Sequence, residues 1–191
     1  MSTENLKTVS GAQLLELNLP PTKFIVKGLI PQGFHILAGQ PKIGKSWLLL
    51  HLCLQVSKGE SFWNYETSKG TVLYLCLEDS YNRIQTRLSE LTEDAPDNLH
   101  FAIMSKTLSK GLDKQIIQFI DAHPDTNLIV IDTLQKVRTT SGDTNFYASD
   151  YRDITSIKEI ADESGIAIIA VQHLRKQKNA DPHLMISGST G

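Results

Sequence analysis

Cysteine is scarce in this sequence, and no pattern for a structural metal is present. The two cysteines among 191 residues, Cys53 and Cys76, both lie inside apolar runs. Such surroundings favour buried, reduced thiols over a disulfide. His and Cys residues do not recur at the short spacings that are typical of zinc sites. The sequence therefore argues against a disulfide scaffold and against a cysteine-ligated metal centre.

A strong net charge and long apolar runs are also missing. The formal net charge is −2, so general electrostatic attraction does not direct the chain to nucleic acid. Any contact with DNA must come from a local basic patch or from oligomerisation. No apolar stretch approaches the ~20 residues that span a membrane, and the first residues lack the regions of a signal peptide. These absences predict a cytoplasmic protein without a membrane partner.

The sequence does contain a repeated alternation of strand-like and helix-like segments. This alternation predicts an α/β fold, with a mostly parallel sheet and helices on both faces. The length suits one domain, which we place at residues 21–191 after a flexible N-terminal arm of residues 1–20. The predicted strands cover residues 24–26, 34–38, 71–77, 99–103, 127–132 and 166–171. The predicted helices cover residues 47–56, 80–91, 114–122 and 147–164, with one helical turn at 12–17. In the third long helix, Ile116, Ile117, Phe119 and Ile120 are expected to face the core.

One segment identifies a phosphate-binding loop. Residues 39–46 read GQPKIGKS and fill the pattern G-x-x-x-x-G-K-[ST] between a predicted strand and a predicted helix. The glycines allow a tight loop whose backbone N–H groups face phosphates, and Lys45 adds a positive charge. Ser46 offers a hydroxyl to Mg²⁺, and the helix N-terminus favours an anion. The residues predicted to bind the nucleotide are Gly39, Gln40, Pro41, Lys42, Ile43, Gly44, Lys45, Ser46 and Trp47.

Carboxylates end two of the predicted strands. Asp132 follows the apolar run of residues 128–131, which is the Walker B pattern, and is predicted to bind Mg²⁺ together with Ser46. Many P-loop ATPases carry a glutamate next to this aspartate, but here Thr133 follows. The water-orienting base must therefore come from elsewhere, with Glu78 as first candidate and Asp79 as second. The alternative is that both carboxylates only stabilise the start of the next helix.

Gln172 and His173 end the last predicted strand. Polar groups at this position would face the γ-phosphate and could report hydrolysis to the following loop by gaining or losing a hydrogen bond. The alternative is an ordinary solvated strand end. We predict a sensor role for His173.

The order of these motifs resembles the RecA-like P-loop ATPases, and more closely the RepA-type hexameric replicative helicases of plasmids, phages and mobile elements. The matching segments are residues 39–46, 73–79, 129–136, 147–153, 171–176 and 186–191. The resemblance implies ATP and Mg²⁺ as cofactors and hydrolysis between subunits of a homo-oligomeric, hexameric ring around single-stranded DNA. Glu78, Lys45 and His173 would then be catalytic, with Ser46 and Asp132 on the metal.

The same resemblance places the segment after Leu174 near DNA. Arg175, Lys176 and Lys178 would contact DNA phosphates there, although a solvated charged loop is an equal alternative. Family members continue through further strands, so the C-terminal strands are expected to be missing from this sequence. The arginine finger that some members carry in that part therefore has no assigned residue.

Three functions remain open from the sequence. The leading one is an ATP-hydrolysing motor on single-stranded DNA, helicase or helicase-like. The second is an ATP-dependent regulatory or partner-binding module with little intrinsic turnover. The third, a phosphotransferase of the nucleoside-kinase type, is disfavoured because its arginine-rich lid has no counterpart in residues 139–145.

Overall fold

Five of the seven strands in the described part of the chain build the central sheet. The computed structural model describes residues 6–138 and 146–174, of which residues 146–153 are described by their backbone alone. The strands are β1 (Phe24–Val26), β2 (Ile30–Pro31), β3 (Gly33–Gly39), β4 (Thr71–Cys76), β5 (Leu99–Ala102), β6 (Thr126–Asp132) and β7 (Ala167–His173). The helices are α1 (Gly11–Glu16), α2 (Lys45–Lys58), α3 (Tyr81–Leu91), α4 (Leu112–Ala122), α5 (Leu134–Val137) and α6 (Phe146–Ser164), with a 3₁₀ turn at Leu108–Lys110.

The central sheet is parallel, as the sequence predicts. Its strand order is β3-β7-β6-β4-β5, and each neighbouring pair runs parallel. Strands β1 and β2 form a separate antiparallel pair. Parallel strands end at one common edge, where Gly39 lies opposite His173 and Cys76 lies opposite Asp132. This edge collects the phosphate loop and the polar strand ends on one side of the molecule.

Helices cover both faces of the sheet. Along β6, Leu128 and Val130 join the core cluster under α2 and α3, whereas Ile129 and Ile131 join the cluster under α4 and α6. All seven residues of β6 are buried, which is the pattern of a central parallel strand covered on both sides. The predicted α/β fold, a parallel sheet with helices on both faces, is thereby confirmed. Cys53 and Cys76 are buried free thiols, also as predicted, and burial raises the pKa of both.

The sequence prediction is wrong about one residue of α4. Ile116 is 1% exposed, but its neighbour Ile117 is 44% exposed. Consecutive helical residues point about 100° apart, so these two side chains cannot face the core together. Phe119 and Ile120 pack against the core from partly buried positions.

The N-terminal segment carries little of the fold. Residues 6–23 are all exposed, and α1 contributes no buried side chain. Helix α1 begins with a capping box, in which the side chains of Ser10 and Gln13 each accept a hydrogen bond from the other residue's backbone N–H. Across the described ranges, no helix combines the length and apolarity that crossing a membrane requires.

The ring of His100 on β5 packs against two rings of the α4 region. The His100 ring lies 4.6 Å from that of His123 and 5.3 Å from that of Phe119. Burial, and then the neighbouring His123, lower the pKa of His100, while Asp125 partly offsets the shift. The folded protein thus favours the neutral imidazole, whereas the unfolded chain takes up a proton at the ordinary histidine pKa.

We expect the free energy of unfolding to fall as pH drops below 6.5, the ordinary histidine pKa, because the unfolded state then binds more protons. Urea unfolding at pH 7.5 and pH 5.5 measures the loss. In His100→Gln the loss should be smaller, and His51→Gln serves as a histidine control. An equal pH dependence in wild type and His100→Gln would contradict this assignment.

Candidate functional site

The phosphate loop joins β3 to helix α2 through two residues with positive φ. Gly44 has φ 93° and Lys42 has φ 65°, both in the left-handed region. At Gly39 a Cβ would come within 2.7 Å of Ile43 Cδ1, so a larger residue here would require the exposed Ile43 side chain to move. Gly44 is the N-cap of the 14-residue helix α2 and provides no side-chain hydrogen bond to it. The backbone N–H groups in the first turn of α2 can therefore bind an anionic ligand.

Lys45 is folded into this loop. It is only 7% exposed, and its Nζ donates hydrogen bonds to the carbonyl oxygens of Gly39 at 2.9 Å and Gln40 at 2.7 Å. Burial lowers the pKa of Lys45, while Asp132 partly offsets the shift. The amino group is therefore held where the loop would present it to an anion.

Ser46 and Asp132 meet at the start of α2, although 86 residues separate them in the chain. The Ser46 hydroxyl donates to Asp132 Oδ2 at 2.6 Å. The Tyr74 hydroxyl donates to the same oxygen at 3.0 Å. A hydroxyl beside an aspartate at a phosphate loop is the hard-oxygen set that Mg²⁺ prefers, so these residues fit the metal implied by the sequence.

Sequence reasoning missed Tyr74. Its side chain shares a face of β4 with Cys76 and is 3% exposed. Burial, followed by the negative charge of Asp132, raises the pKa of Tyr74, so its hydroxyl stays protonated and donates to the carboxylate. Only the every-second-residue spacing of Tyr74, Cys76 and Glu78 hinted at a common face.

We expect Tyr74→Phe to raise the Mg²⁺ concentration needed for tight ATP binding by about tenfold, because loss of a hydrogen bond to a metal ligand typically has an effect of this size. Titrating Mg²⁺ against a fluorescent ATP analogue measures it. Tyr65→Phe, at a residue 44% exposed, is the control. An unchanged Mg²⁺ requirement in Tyr74→Phe would show that the tyrosine does not act on the metal site.

Glu78 lines the same cleft as the phosphate-loop residues Lys42 and Ser46. Its Oε1 accepts a hydrogen bond from the Thr133 hydroxyl at 3.2 Å, and its Oε2 lies 3.6 Å from His173 Nε2. The other ring nitrogen of His173 is buried without a hydrogen-bond partner among the described residues. The structure thus places the predicted base and the predicted sensor side by side, with Thr133 as a further contact that the sequence did not indicate.

Asp79, the second candidate for the base, forms ion pairs with two arginines. It pairs with Arg83 at 3.2 Å and with Arg87, and its side chain is only 13% exposed. The Arg87 guanidinium also lies 5.8 Å from the centre of the Trp47 ring. The arginines follow Asp79 by four and eight residues, so helical spacing alone could have predicted the cluster. With Asp79 held in this way, Glu78 is the better candidate for the base.

These side chains line one cleft of about 330 Å³ at the carboxyl edge of the sheet. This volume lies within the range of ordinary ligand pockets, ~300–1,000 Å³. Lys42, Ser46, Glu78, Asp132 and His173 all contribute to its walls. Arg175, Lys176 and Lys178 lie outside the described residues.

Comparison with known protein families decides the classification. The sequence profile of the AAA domain family matches residues 2–179. The chain belongs to the AAA domain family. Together with the parallel sheet and the phosphate loop, this assigns the chain to the RecA-like P-loop ATPases.

Individual relatives agree with this family. The chain is 25% identical over 187 residues to the DNA repair protein RadA of Streptococcus pneumoniae, covering 93% of this chain and 40% of that protein. It is 28% identical over 161 residues to the DNA repair protein RadA of Bacillus subtilis, covering 83% of this chain and 31% of that protein. This chain therefore spans between about a third and two fifths of the length of these RadA proteins.

Proposed function

We propose that this chain is a Mg²⁺-dependent ATPase that acts on single-stranded DNA as a RepA-type hexameric helicase, in the replication of DNA or of mobile elements in the cytoplasm. The main support is the convergence of Lys45, Ser46, Asp132, Glu78 and His173 on one edge of the sheet. The RadA relatives are DNA repair proteins by name, which supports a DNA substrate. In this proposal residues 1–20 are an arm and residues 21–191 are the ATPase domain.

The phosphate loop would hold the triphosphate of ATP. Lys45 would exchange its hydrogen bonds to two loop carbonyl oxygens for hydrogen bonds to phosphate oxygens. The N-terminal N–H groups of α2 would bind the same phosphate group. Ser46 and Asp132 would hold Mg²⁺. Bound there, Mg²⁺ supplies positive charge that stabilises the β- and γ-phosphate oxygens.

Glu78 would orient the attacking water. Its carboxylate lines the cleft and contacts Thr133 and His173. In-line attack requires a water fixed opposite the leaving oxygen, and a carboxylate can both align this water and accept its proton. Asp79 is left to anchor Arg83 and Arg87 rather than to act as the base.

His173 would transmit the state of the nucleotide. It contacts Glu78, and the next backbone N–H, that of Leu174, donates to the carbonyl of Gly39 at 3.2 Å. The end of β7 is thus tied both to the base and to the start of the phosphate loop. A change in either contact would pass directly to the segment that carries Arg175, Lys176 and Lys178, our proposed DNA contacts.

The test is ATP turnover with and without single-stranded DNA, at two protein concentrations and several salt concentrations. We expect DNA to stimulate turnover, and stimulation to rise with protein concentration. Turnover that ignores DNA would contradict the proposal. Tight ATP binding without turnover would favour the regulatory module instead.

The basic segment has its own prediction. Replacing Arg175, Lys176 and Lys178 together by alanine should weaken DNA binding and lower the salt dependence of log K by about 2, since each lost single-strand phosphate contact removes ~0.7. DNA binding measured by fluorescence anisotropy across salt concentrations gives the slope. The control replaces three exposed lysines, Lys110, Lys114 and Lys158. An equal change in both triple variants would exclude a specific role for the segment.

A further inference from the structure

Glu78 follows a segment that is hydrogen-bonded to the end of β6. The N–H of Leu77 donates to the carbonyl of Asp132 at 2.8 Å, just beyond the last paired residues of β4 and β6. This bond continues the ladder between the two strands past their ends. Thr133 and Glu78 are therefore neighbours in space, although 55 residues separate them in the chain.

The hydroxyl of Thr133 contacts Glu78 instead of the helix that Thr133 precedes. Thr133 is the N-cap residue of α5, and its side chain makes no capping hydrogen bond. A threonine at an N-cap ordinarily accepts a hydrogen bond from an N–H group of the first turn. Here the hydroxyl donates to Glu78 Oε1 at 3.2 Å. The side chain that would stabilise the start of α5 thus contacts a residue of the nucleotide cleft.

The Glu78 carboxylate has few other contacts. Its side chain is 43% exposed, whereas Thr133 is 1% exposed. Among the described side chains, the Thr133 hydroxyl makes the only hydrogen bond that this carboxylate accepts. His173 Nε2 lies 3.6 Å from Oε2, which is longer than the ~2.7–3.2 Å of a typical N–H···O hydrogen bond. A buried hydroxyl therefore contacts one carboxylate oxygen, and the other oxygen faces His173.

A general base must hold both its position and the direction of its lone pairs. A glutamate side chain has several rotatable bonds, so an exposed carboxylate without a fixed partner samples many rotamers. A misplacement of ~1 Å at a reacting group can lower a rate by ~10²-fold. A hydrogen bond from Thr133 to Oε1 would restrict these rotamers and leave Oε2 available to the attacking water.

We propose that Thr133 is a positioning residue for ATP hydrolysis, whose hydroxyl fixes the orientation of the Glu78 carboxylate. Oε2 then accepts the proton of the attacking water as the bond from the water oxygen to the γ-phosphorus forms. The bond from this phosphorus to the bridging oxygen breaks, and ADP leaves with the electron pair. The inference rests on the proposed function, in which Glu78 is the base, and adds the residue that orients this base.

Thr133→Val is the direct test, because valine has nearly the shape of threonine but lacks the hydroxyl. We expect kcat to fall about 10- to 100-fold, with KM for ATP and the affinity for a fluorescent ATP analogue unchanged. Thr133→Ser keeps the hydroxyl and should restore most of kcat. An unchanged kcat in Thr133→Val, or equal losses in the valine and serine variants, would overturn the proposal.

A double-mutant cycle separates orientation of the base from a purely structural role of Thr133. If Thr133 acts through the carboxylate, adding Thr133→Val to Glu78→Gln should change the residual single-turnover rate by less than about twofold. A structural role would lower the rate by the same factor with and without Glu78, and this result would also overturn the proposal.

Thr126→Val is the matched control. It removes another buried threonine hydroxyl from the opposite end of β6, where this hydroxyl donates to the carbonyl of His123 at 2.6 Å. Its kcat should equal that of wild type. An equal loss of kcat in Thr126→Val and Thr133→Val would mean that any buried hydroxyl of this segment has the same effect, and the specific role of Thr133 would be refuted.

Thr133 also follows the proposed metal ligand Asp132, so the Mg²⁺ requirement needs a separate measurement. The Mg²⁺ concentration needed for tight ATP binding should be the same in Thr133→Val and wild type. A raised Mg²⁺ requirement, with the wild-type kcat at saturating Mg²⁺, would assign the Thr133 hydroxyl to the metal site and contradict its action on Glu78.

Hydrolysis by the wild type separates this inference from the proposed function. Absence of ATP turnover in wild type, with and without DNA, would refute the proposed ATPase. Wild-type turnover that requires Glu78 but is unaffected by Thr133→Val would refute the positioning role alone.

Discussion

Glu78→Gln is expected to bind ATP as wild type does and to hydrolyse it about 10²- to 10⁴-fold more slowly, the usual contribution of a positioned general base. Glutamine keeps the shape of the side chain and can still accept the Thr133 hydrogen bond. It loses the negative charge that aligns the water and accepts its proton. Single-turnover hydrolysis and analogue binding, measured on the same preparation, separate the two effects.

Glu90→Gln provides the matched control. Glu90 is an exposed glutamate on α3, the helix that begins just after Glu78, and its substitution should change neither binding nor hydrolysis. If Glu78→Gln hydrolyses ATP at the wild-type rate, the base lies elsewhere. Asp79 would then need testing, although its two arginines already occupy it.

Lys45→Met is expected to weaken nucleotide binding by about tenfold to more than a hundredfold, because hydrogen bonds to charged groups contribute ~1.5–3 kcal/mol. The same substitution should change the free energy of unfolding little, because relief of a buried charge offsets the lost hydrogen bonds to the Gly39 and Gln40 carbonyls. Methionine fills the buried stem position of Lys45 and removes an amino group whose pKa burial already lowers. Isothermal titration with ATP and Mg²⁺ measures the affinity, and urea unfolding measures the stability.

Lys58→Met is the control for this prediction. Lys58 ends the same helix, and its Nζ donates to the Thr92 hydroxyl at 3.0 Å, far along α2 from the phosphate loop. Nucleotide affinity should be unchanged in Lys58→Met. Comparable losses of affinity in the two variants would mean that charge on α2, rather than the loop contact, sets the binding.

The strands could be predicted well from the sequence, because a parallel sheet covered on both faces needs continuous apolar runs. The runs at residues 71–77 and 127–132 correspond to β4 and β6 within one or two residues. The wrong prediction that Ile117 faces the core arises because a helix, unlike these strands, is covered on one face. A helix that is apolar at successive positions does not reveal which one faces the core, and only packing against the sheet selects Ile116.

In the candidate site too, local features could be predicted from the sequence and contacts between distant residues could not. The phosphate loop is local, so one eight-residue segment carries its glycines, Lys45 and Ser46 together. The contacts of Tyr74 and Thr133 could not be predicted from the sequence, because each residue meets a partner that is more than 50 positions away in the chain. The pairing of Asp79 with its two arginines could have been predicted from helical spacing. The approach of Arg87 to Trp47 could not, because the two residues lie on different helices.

By itself, the sequence determined the fold class and the phosphate loop, since both depend on residues that are close together in the chain. The tertiary structure decided that Ser46 meets Asp132 and that Glu78 meets His173. These contacts follow from the strand order β3-β7-β6-β4-β5, which brings four distant strand ends to one edge. Strand order depends on how the helices pack on the two faces, and no local pattern encodes it.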